Sequence, residues 1–138
     1  MSVNNNVDVI NIMEIIERVE NFAREYDLFK AHDKLLIACS GGPDSMALVD
    51  IFQKLSAKYK LEIIVAHAEH GIRKESSLND AWYVKNYCEQ KNIPFFMEHL
   101  NVLEHLKTEK LSVETLARKL RYQFLRRIAK AQNATKIV

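Results

Sequence analysis

Apolar residues recur along this chain with two alternating patterns, one typical of helices and one typical of buried strands. Helical spacing predicts helices at residues 8–26, 45–58, 77–91 and 112–130. Short apolar runs between them predict strands at residues 34–39, 61–66, 93–97 and 134–138. Strands that alternate with helices predict an α/β fold, with a parallel sheet and helices on both of its faces.

The same spacing predicts which helix positions face the sheet. The first helix presents an apolar stripe that includes Ile15, Phe22 and Ala23. Ala47 belongs to the predicted inward side of the second helix, and Val113 to that of the last helix. These five positions are expected to lie against the core.

Charge is distributed unevenly along the chain. Residues 1–33 hold seven acidic and three basic residues, whereas residues 115–138 hold seven basic residues and no acidic one. A basic end favours a polyanionic partner such as RNA, although outward Lys and Arg on a solvated helix face produce the same pattern. No apolar run approaches the 18 or so residues of a membrane helix, and two cysteines are too few for a disulfide framework. We therefore expect no membrane partner and a cytoplasmic location.

The most informative polar stretch follows the first strand and begins the second helix. It consists of Ser40, Gly41, Gly42, Pro43, Asp44 and Ser45, and we call it the phosphate loop. Glycines let backbone N–H groups approach an anion, and a helix N-terminus adds partial positive charge. Asp44 fits such a cradle as a partner for a divalent cation shared with bound phosphates. The alternative is a structural turn that only caps the helix.

A second polar segment, residues 67–73, follows the second strand and is expected to face the same crevice. His67 and His70 could form half of a metal site, but their odd spacing directs them to opposite faces of a strand. Arg73 is the better candidate, as a contact to phosphate or RNA. The alternative is a loop closed by Gly71, with His67 hydrogen-bonded at the strand end.

A third group lies on the predicted helix at residues 112–130. Glu114 and Arg118 are four positions apart, so they can form an ion pair, which spacing alone favours. Arg118 and Arg121 share a side of the helix and could bind phosphate groups bidentately. Ser112 can cap the helix.

Together these three segments resemble one subfamily of the N-type ATP pyrophosphatases (the PP-loop superfamily), the tRNA(Ile)-lysidine synthetases. The segments are Ser-Gly-Gly-Pro-Asp-Ser-Met-Ala-Leu at residues 40–48, His-Ala-Glu-His-Gly-Ile-Arg at residues 67–73, and residues 114–125. The third segment matches the family pattern residue for residue. In the second, the family usually has Asn where this chain has Glu69, which leaves the role of that side chain open.

The resemblance implies a Rossmann-like adenine-nucleotide alpha hydrolase fold and a ligase reaction. Residues 34–138 would form the ATP-binding domain, after an N-terminal helix and lead-in at residues 1–33. ATP would adenylate carbon 2 of the wobble cytidine of isoleucine tRNA and release pyrophosphate. Free L-lysine would then displace AMP to give lysidine. ATP and Mg²⁺ are the implied cofactors, and a homodimer is left open.

The resemblance also implies a role for each motif. The phosphate loop would bind ATP and pyrophosphate, with Asp44 holding Mg²⁺. Asp44 and Arg118 would be catalytic. The nucleotide side of the site would comprise His67, Ala68, His70 and Arg73. The tRNA or substrate side would comprise Glu114, Arg118, Arg121 and Tyr122.

One family motif, H-H-x-D-D-Q-x-E-T, is expected after the fourth strand and is not in this sequence. We therefore expect a domain truncated after strand four, inactive by itself. The alternatives are another PP-loop ATP pyrophosphatase, such as a tRNA thiolation enzyme or an amidating ligase, and a non-catalytic nucleotide-binding module. Cys39 and Cys88 are 49 positions apart, which does not suit thiolation.

Overall fold

The computed structural model describes residues 2–70 and 74–138, and side chains at residues 13–70 and 79–138. The elements of the described chain are, in order, α1 (Ser2–Glu25), β1 (Lys34–Ala38), α2 (Pro43–Tyr59), β2 (Glu62–Glu69), α3 (Lys74–Gln90), β3 (Phe95–His99), α4 (Val102–His105), α5 (Val113–Ala131) and β4 (Lys136–Ile137). Strands and helices alternate as the apolar pattern predicts.

The four strands form one parallel sheet in the order β3-β2-β1-β4. The short strand β4 joins β1 through backbone hydrogen bonds on both sides of its two residues. The Thr135 N–H donates to the Lys34 carbonyl at 2.8 Å, and the Val138 N–H donates to the Leu36 carbonyl at 2.8 Å. The predicted α/β architecture is confirmed.

Each face of the sheet buries its own apolar cluster. On one face, Leu35, Ile37 and Val65 of the sheet pack with side chains of α2 and α3. On the other, Leu36 and Ile64 pack with α4 and α5. Alternate residues of β1 therefore serve opposite clusters, as the period of two in a strand requires.

Four of the five predicted inward positions are wrong, two of them in α2 and α5 and two in α1. Helix α2 already begins at Pro43, directly after the extended N-cap Gly42, which suits the fixed φ of proline. Met46 and Val49 are then buried, and Ala47 is exposed. Val113 is exposed as well, because it lies in the first turn of α5, before the helix reaches the sheet.

Strand β2 begins one residue later than predicted and ends three residues later, at Glu69. His67 and Ala68 therefore lie in the sheet, opposite Met97 and Glu98 of β3, and not in a loop. Their alternation of polar and small residues obscured the strand. Helix α4, a single turn, was not predicted, since four residues are too few to show a helical period.

Helix α1 covers less apolar surface than its sequence predicts. Ala23 is buried, as expected, but Phe22 is 56% exposed and Ile15 is 48% exposed. A polar cluster also attaches α1 to the end of α2: the Glu20 carboxylate accepts hydrogen bonds from Lys58 Nζ at 2.5 Å and Tyr59 Oη at 2.7 Å. Within residues 2–70 and 74–138, no helix is long and apolar enough to span a membrane.

We predict that Glu20→Gln weakens the attachment of α1. The hydrogen bond from Lys58, and next that from Tyr59, holds the pKa of Glu20 below its ordinary value. A lowered carboxyl pKa stabilises the fold above the unfolded-state pKa, and this contribution is lost as pH falls through the folded pKa. Urea denaturation at pH 7 should show a loss of about 1 kcal/mol, with faster hydrogen exchange in α1.

Glu14→Gln is the matched control for Glu20→Gln. Glu14 contacts only the exposed Arg18 within the described contacts of α1, at 2.7 Å, so its loss should change stability little. Equal effects of the two substitutions would contradict a specific role for Glu20.

Candidate nucleotide-binding site

The phosphate loop turns the chain from β1 into α2 within four residues. Gly41 has a φ of 91°, in the left-handed region that glycine adopts without strain. Gly42 follows as the extended N-cap of α2, and Pro43 takes the first helical position. The chain can make this turn because a residue without a Cβ atom occupies its tightest point.

The hydroxyl groups of Ser40 and Ser45 close the loop from inside. The Gly42 N–H donates to Ser40 Oγ at 3.3 Å, and the Ser45 hydroxyl donates to the Gly42 carbonyl at 3.0 Å. Ser40 must then donate to Ser45 across their 3.1 Å contact, because a hydroxyl has only one proton. Ser45 Oγ also accepts the Gly41 N–H at 3.2 Å. The glycine donors thus face neutral hydroxyls, which a phosphate oxygen, as a charged and stronger acceptor, can displace.

Helix α3 packs directly against the tightest point of this loop. A Cβ atom on Gly41 would lie 3.0 Å from Asp80 Cβ and 3.3 Å from the Asp80 backbone oxygen. On Gly42 it would meet only Ser40 Oγ, at 3.6 Å. The two glycines therefore differ: position 41 is fixed by its own conformation and its neighbour, whereas position 42 has room.

A cavity of about 170 Å³ opens beside the loop at the carboxyl ends of β1 and β2. Helix α5 forms its far wall. The lining residues are Ala38, Cys39, Ser40, Ser45, Ala66, Ala68, His70, Arg121 and Leu125. The structure thus brings together members of all three predicted segments: the loop serines, Ala68 with His70, and Arg121.

His70 lies at the cavity with its charged form disfavoured. Burial lowers its pKa, and the positive charge of Arg121 lowers it further, against a smaller opposing effect of Glu69. The imidazole is accordingly neutral at pH 7, and it can donate one hydrogen bond and accept another. This suits contact with a nucleobase more than contact with a phosphate group.

His67 does not line this cavity but a smaller pocket of about 70 Å³ beside it, shared with Ser40 and His70, so its implied role on the nucleotide side stays a prediction. It is 3% exposed, and its Nδ1 lies 2.8 Å from the Cys39 carbonyl oxygen. The alternative interpretation, a histidine hydrogen-bonded at the strand end, is the one that the structure shows. Within the described residues no group of three or more His, Cys, Asp or Glu side chains could hold a metal ion.

Tyr122 lies between two arginines on the outer side of α5. The guanidinium carbons of Arg118 and Arg121 are 5.5 Å and 5.4 Å from its ring centroid. A hydrogen bond from Arg118, and next its charge, lowers the pKa of the Tyr122 phenol. Tyr122 is 40% exposed, so an aromatic ring with positive charge around it faces solvent beside the cavity.

Glu114 does not form the predicted ion pair with Arg118 among the described contacts of α5. Arg118 contacts the ring of Tyr122 instead, one turn further along the helix. Glu114 stays exposed in the first turn, where its charge favours the helix N-terminus. Ser112 caps that end as predicted, since its side chain accepts the Thr115 N–H at 3.2 Å.

The basic end of the chain is partly neutralised by acidic partners. Arg127 forms a bidentate pair with Glu98, with one arm at 2.9 Å. Lys119 pairs with Glu109 at 3.1 Å, and Lys136 lies 3.5 Å from Asp33. Those pairs fit the solvated-face alternative. Arg121 lines the cavity, and it belongs to the exposed bases of α5 that have no acidic partner among the described ion pairs: Arg118, Arg121, Arg126 and Lys130.

Asp44 is exposed in the first turn of α2, next to the serine network. A single carboxylate, joined by phosphate oxygens and water, is the kind of protein contribution that Mg²⁺ accepts. The residues present therefore fit Mg²⁺ carried by a nucleotide, with Asp44 as the protein ligand. Gly71 and Arg73 of the second predicted segment, residues 67–73, lie outside the described part of the chain.

Several contributors to the site were not predicted. Asp80 packs on the loop, and Leu125 lines the cavity one turn beyond Arg121. Leu125 ends the matched segment at residues 114–125 and lies four positions after Arg121, and both features could have suggested it from sequence. Glu69, at the end of β2, is 3% exposed, and its carboxylate contacts Nδ1 of the His99 ring. That contact depends on two parallel strands ending side by side, which no local pattern reveals.

The chain belongs to the PP-loop domain family, which matches residues 11–138. It is similar to proteins described as tRNA(Ile)-lysidine synthase. The Petrotoga mobilis protein is 38% identical over 128 residues, which are 90% of this chain and 41% of the relative. The Thermosipho africanus protein is 37% identical, over 91% of this chain and 29% of the relative. The chain thus spans less than half the length of these curated relatives.

Solved structures share the fold at low sequence identity. A U34-tRNA thiolase from Methanococcus maripaludis, solved with its [4Fe-4S] cluster, has a TM-score of 0.75 at 16% identity, over 91% of this chain and 44% of that one. An NH3-dependent NAD synthetase from Campylobacter jejuni has a TM-score of 0.65 at 16% identity, over 91% of this chain and 55% of that one. These likenesses establish the architecture.

We predict opposite consequences for the two loop glycines. Gly41→Ala places a Cβ atom against Asp80 at a left-handed φ, which should destabilise the fold by about 1–3 kcal/mol. Gly42→Ala should leave stability nearly unchanged, because Cβ has room there, but it should weaken pyrophosphate binding where the backbone must approach the anion. Thermal unfolding and calorimetric titration with pyrophosphate measure the two effects. Equal melting temperatures would contradict the close packing at Gly41.

A second prediction concerns pH. The pKa of His70 is lower in the fold than its unfolded value of about 6.5. The unfolded chain therefore binds more protons, so the free energy of unfolding falls as pH drops through about 6.5 towards the folded pKa. His70→Gln should remove part of this slope between pH 7.5 and 5.5 in urea denaturation. His105→Gln, at an exposed position of α4, is the matched control, and an equal change of slope in both variants would contradict a specific contribution from His70.

Proposed function

We propose that this chain carries the ATP-activating part of a tRNA(Ile)-lysidine synthetase. In this reaction, ATP adenylates carbon 2 of the wobble cytidine of isoleucine tRNA, and the amine of free L-lysine displaces AMP in a carbon–nitrogen ligation. The observation that carries the proposal is the cavity between the phosphate loop and Arg121, in a PP-loop chain whose curated relatives bear that name. A cytoplasmic location follows from this proposal.

The phosphate loop is proposed to hold the pyrophosphate that leaves. Ser40 and Ser45 can rotate their hydroxyls towards phosphate oxygens, which releases the N–H groups of Gly41 and Gly42 for the same anion. The N-terminus of α2 adds partial positive charge along the same direction. Donors fixed in this way stabilise charge that develops on the leaving group.

Asp44 and Arg121 are proposed to complete the charge balance around ATP. Asp44 would hold Mg²⁺, which supplies neutralisation of the β- and γ-phosphate charge when bound. Arg121 lies on the opposite wall of the cavity, where a guanidinium can bind phosphate oxygens bidentately. His70, neutral beside it, would contact the nucleoside.

The outer side of α5 is proposed to meet the tRNA. Arg118 and Tyr122 adjoin the cavity through Arg121, and they combine positive charge with an exposed ring. Single-stranded RNA loops are bound by this combination of phosphate contacts and stacking. Arg118 then acts on the nucleotide that is modified, as the family resemblance implies, and Glu114 flanks it one turn earlier.

The rival functions have less support. A thiolation enzyme uses a pair of accessible cysteines. Cys39 borders the cavity but Cys88 is fully buried in the apolar cluster, where burial raises its pKa to about 11. A non-catalytic nucleotide sensor would use the same loop without Asp44. That difference makes Asp44 the residue to test.

We predict that Asp44→Asn abolishes the Mg²⁺ dependence of ATP binding. The substitution removes the charge that holds the cation but leaves the loop donors in place, so ATP affinity in Mg²⁺ should fall about tenfold or more, while affinity in EDTA stays the same or rises. Titration calorimetry with and without Mg²⁺ measures both. Asp50→Asn, on the same helix and paired with Lys54, is the control for charge. An Asp44→Asn protein that keeps its Mg²⁺ dependence would support a plain anion sensor.

We further propose that the 138-residue chain binds ATP weakly and does not complete the reaction alone. The chain spans 41% of the Petrotoga mobilis relative and 29% of the Thermosipho africanus relative, and it is the whole relatives that bear the enzyme's name. Pyrophosphate release in the presence of isoleucine tRNA and lysine tests this directly. Robust turnover by the chain would refute it.

A further inference from the structure

The buried ring of His67 lies directly behind the phosphate loop. His67 belongs to β2, is 3% exposed, and its Nδ1 lies 2.8 Å from the carbonyl oxygen of Cys39. A carbonyl oxygen only accepts hydrogen bonds, so Nδ1 must carry the proton and donate it. The side chain is therefore fixed in orientation and tautomer by a single backbone group, the last one before Ser40.

That backbone group is where the chain leaves the sheet. Regular pairing of β1 with β2 ends with Ala38 opposite Ala66, and the Cys39 N–H still donates to the Ala66 carbonyl at 2.9 Å. The Cys39 carbonyl comes one step later, as the loop begins. The imidazole of His67 thus supplies a donor at the point where the strand ladder stops.

Fixing this carbonyl also fixes the first donor of the loop. The Cys39 carbonyl and the Ser40 N–H belong to one planar trans peptide, so they point in opposite directions and turn together. The orientation of this peptide then sets where Ser40 Oγ lies, and with it the ring of contacts to Gly42 and Ser45. A change at Cys39 is passed to every donor that the proposed pyrophosphate site uses.

We propose that His67 is a positioning residue for the phosphate loop: its Nδ1–H bond to the Cys39 carbonyl sets the loop geometry that binds pyrophosphate. The proposal rests on the proposed function, since it concerns the same anion site. It assigns His67 no contact with ATP, whereas His70 and Arg121 line the cavity itself. Its effect is specific to the phosphate end of a nucleotide.

Substitution of His67 with Asn or with Gln distinguishes the positioning role from simple filling of the core. Asn can place its Nδ2 donor near the position of histidine Nδ1, whereas the longer Gln places its amide one atom further out, near the position of Nε2. His67→Asn should therefore retain the bond to Cys39, and His67→Gln should not. His67→Leu removes the donor and leaves the buried carbonyl unpaired.

The test is titration of the 138-residue chain with inorganic pyrophosphate, and separately with adenosine, which has no phosphate. We expect His67→Leu and His67→Gln to bind pyrophosphate about tenfold more weakly, with adenosine affinity within twofold of the unsubstituted chain. His67→Asn should bind pyrophosphate within about threefold of it. Thermal unfolding of each variant checks that the fold is intact.

The outcomes are distinct. If His67→Gln binds pyrophosphate as well as His67→Asn does, or if adenosine affinity falls in parallel, His67 only fills the core and the positioning role is overturned. The Asn–Gln comparison stands even if His67→Leu does not fold. Failure of the unsubstituted chain to bind pyrophosphate would overturn the proposed pyrophosphate site itself, and the positioning role with it. If the unsubstituted chain binds pyrophosphate but the His67 variants do not differ as expected, only the positioning role of His67 is overturned.

Discussion

The structure depends on one turn, in which the chain must leave a buried parallel strand and enter a helix between Ala38 and Pro43. Gly41 adopts a left-handed φ at its centre, and Asp80 of α3 leaves no space there for a Cβ atom. His67 of β2 holds the Cys39 carbonyl at its start. Three elements thus fix a segment of four residues, and the loop keeps its shape because those elements are themselves rigid.

The rigidity comes from a sheet that is buried on both faces. Leu35 and Ile37 serve one cluster and Leu36 the other, so β1 cannot shift its register without moving apolar side chains into the wrong layer. Polar attachments then place the outer elements, such as Arg127 on Glu98 and Glu20 on α2.

The basic residues at the end of the chain fall into two groups in the structure. Arg127, Lys119 and Lys136 face acidic partners and attach α5 and β4 to the fold. Arg118 and Arg121 face Tyr122 and the cavity. A count of charges along the sequence treats these residues alike, whereas the tertiary structure separates those that stabilise the fold from those that can meet a nucleotide.

Local chemistry determined much of this protein from sequence alone. Apolar periods predicted the alternation of strands and helices, since each period follows from the geometry of a single element. The turn at residues 40–45 was predicted because glycine permits backbone conformations that other residues avoid. Only the tertiary structure decided that His67 faces the Cys39 carbonyl, that Arg118 contacts Tyr122 in preference to Glu114, and that Asp80 packs on Gly41. These contacts join residues from different elements or choose among equal local partners, so the packing of the whole sheet had to settle them.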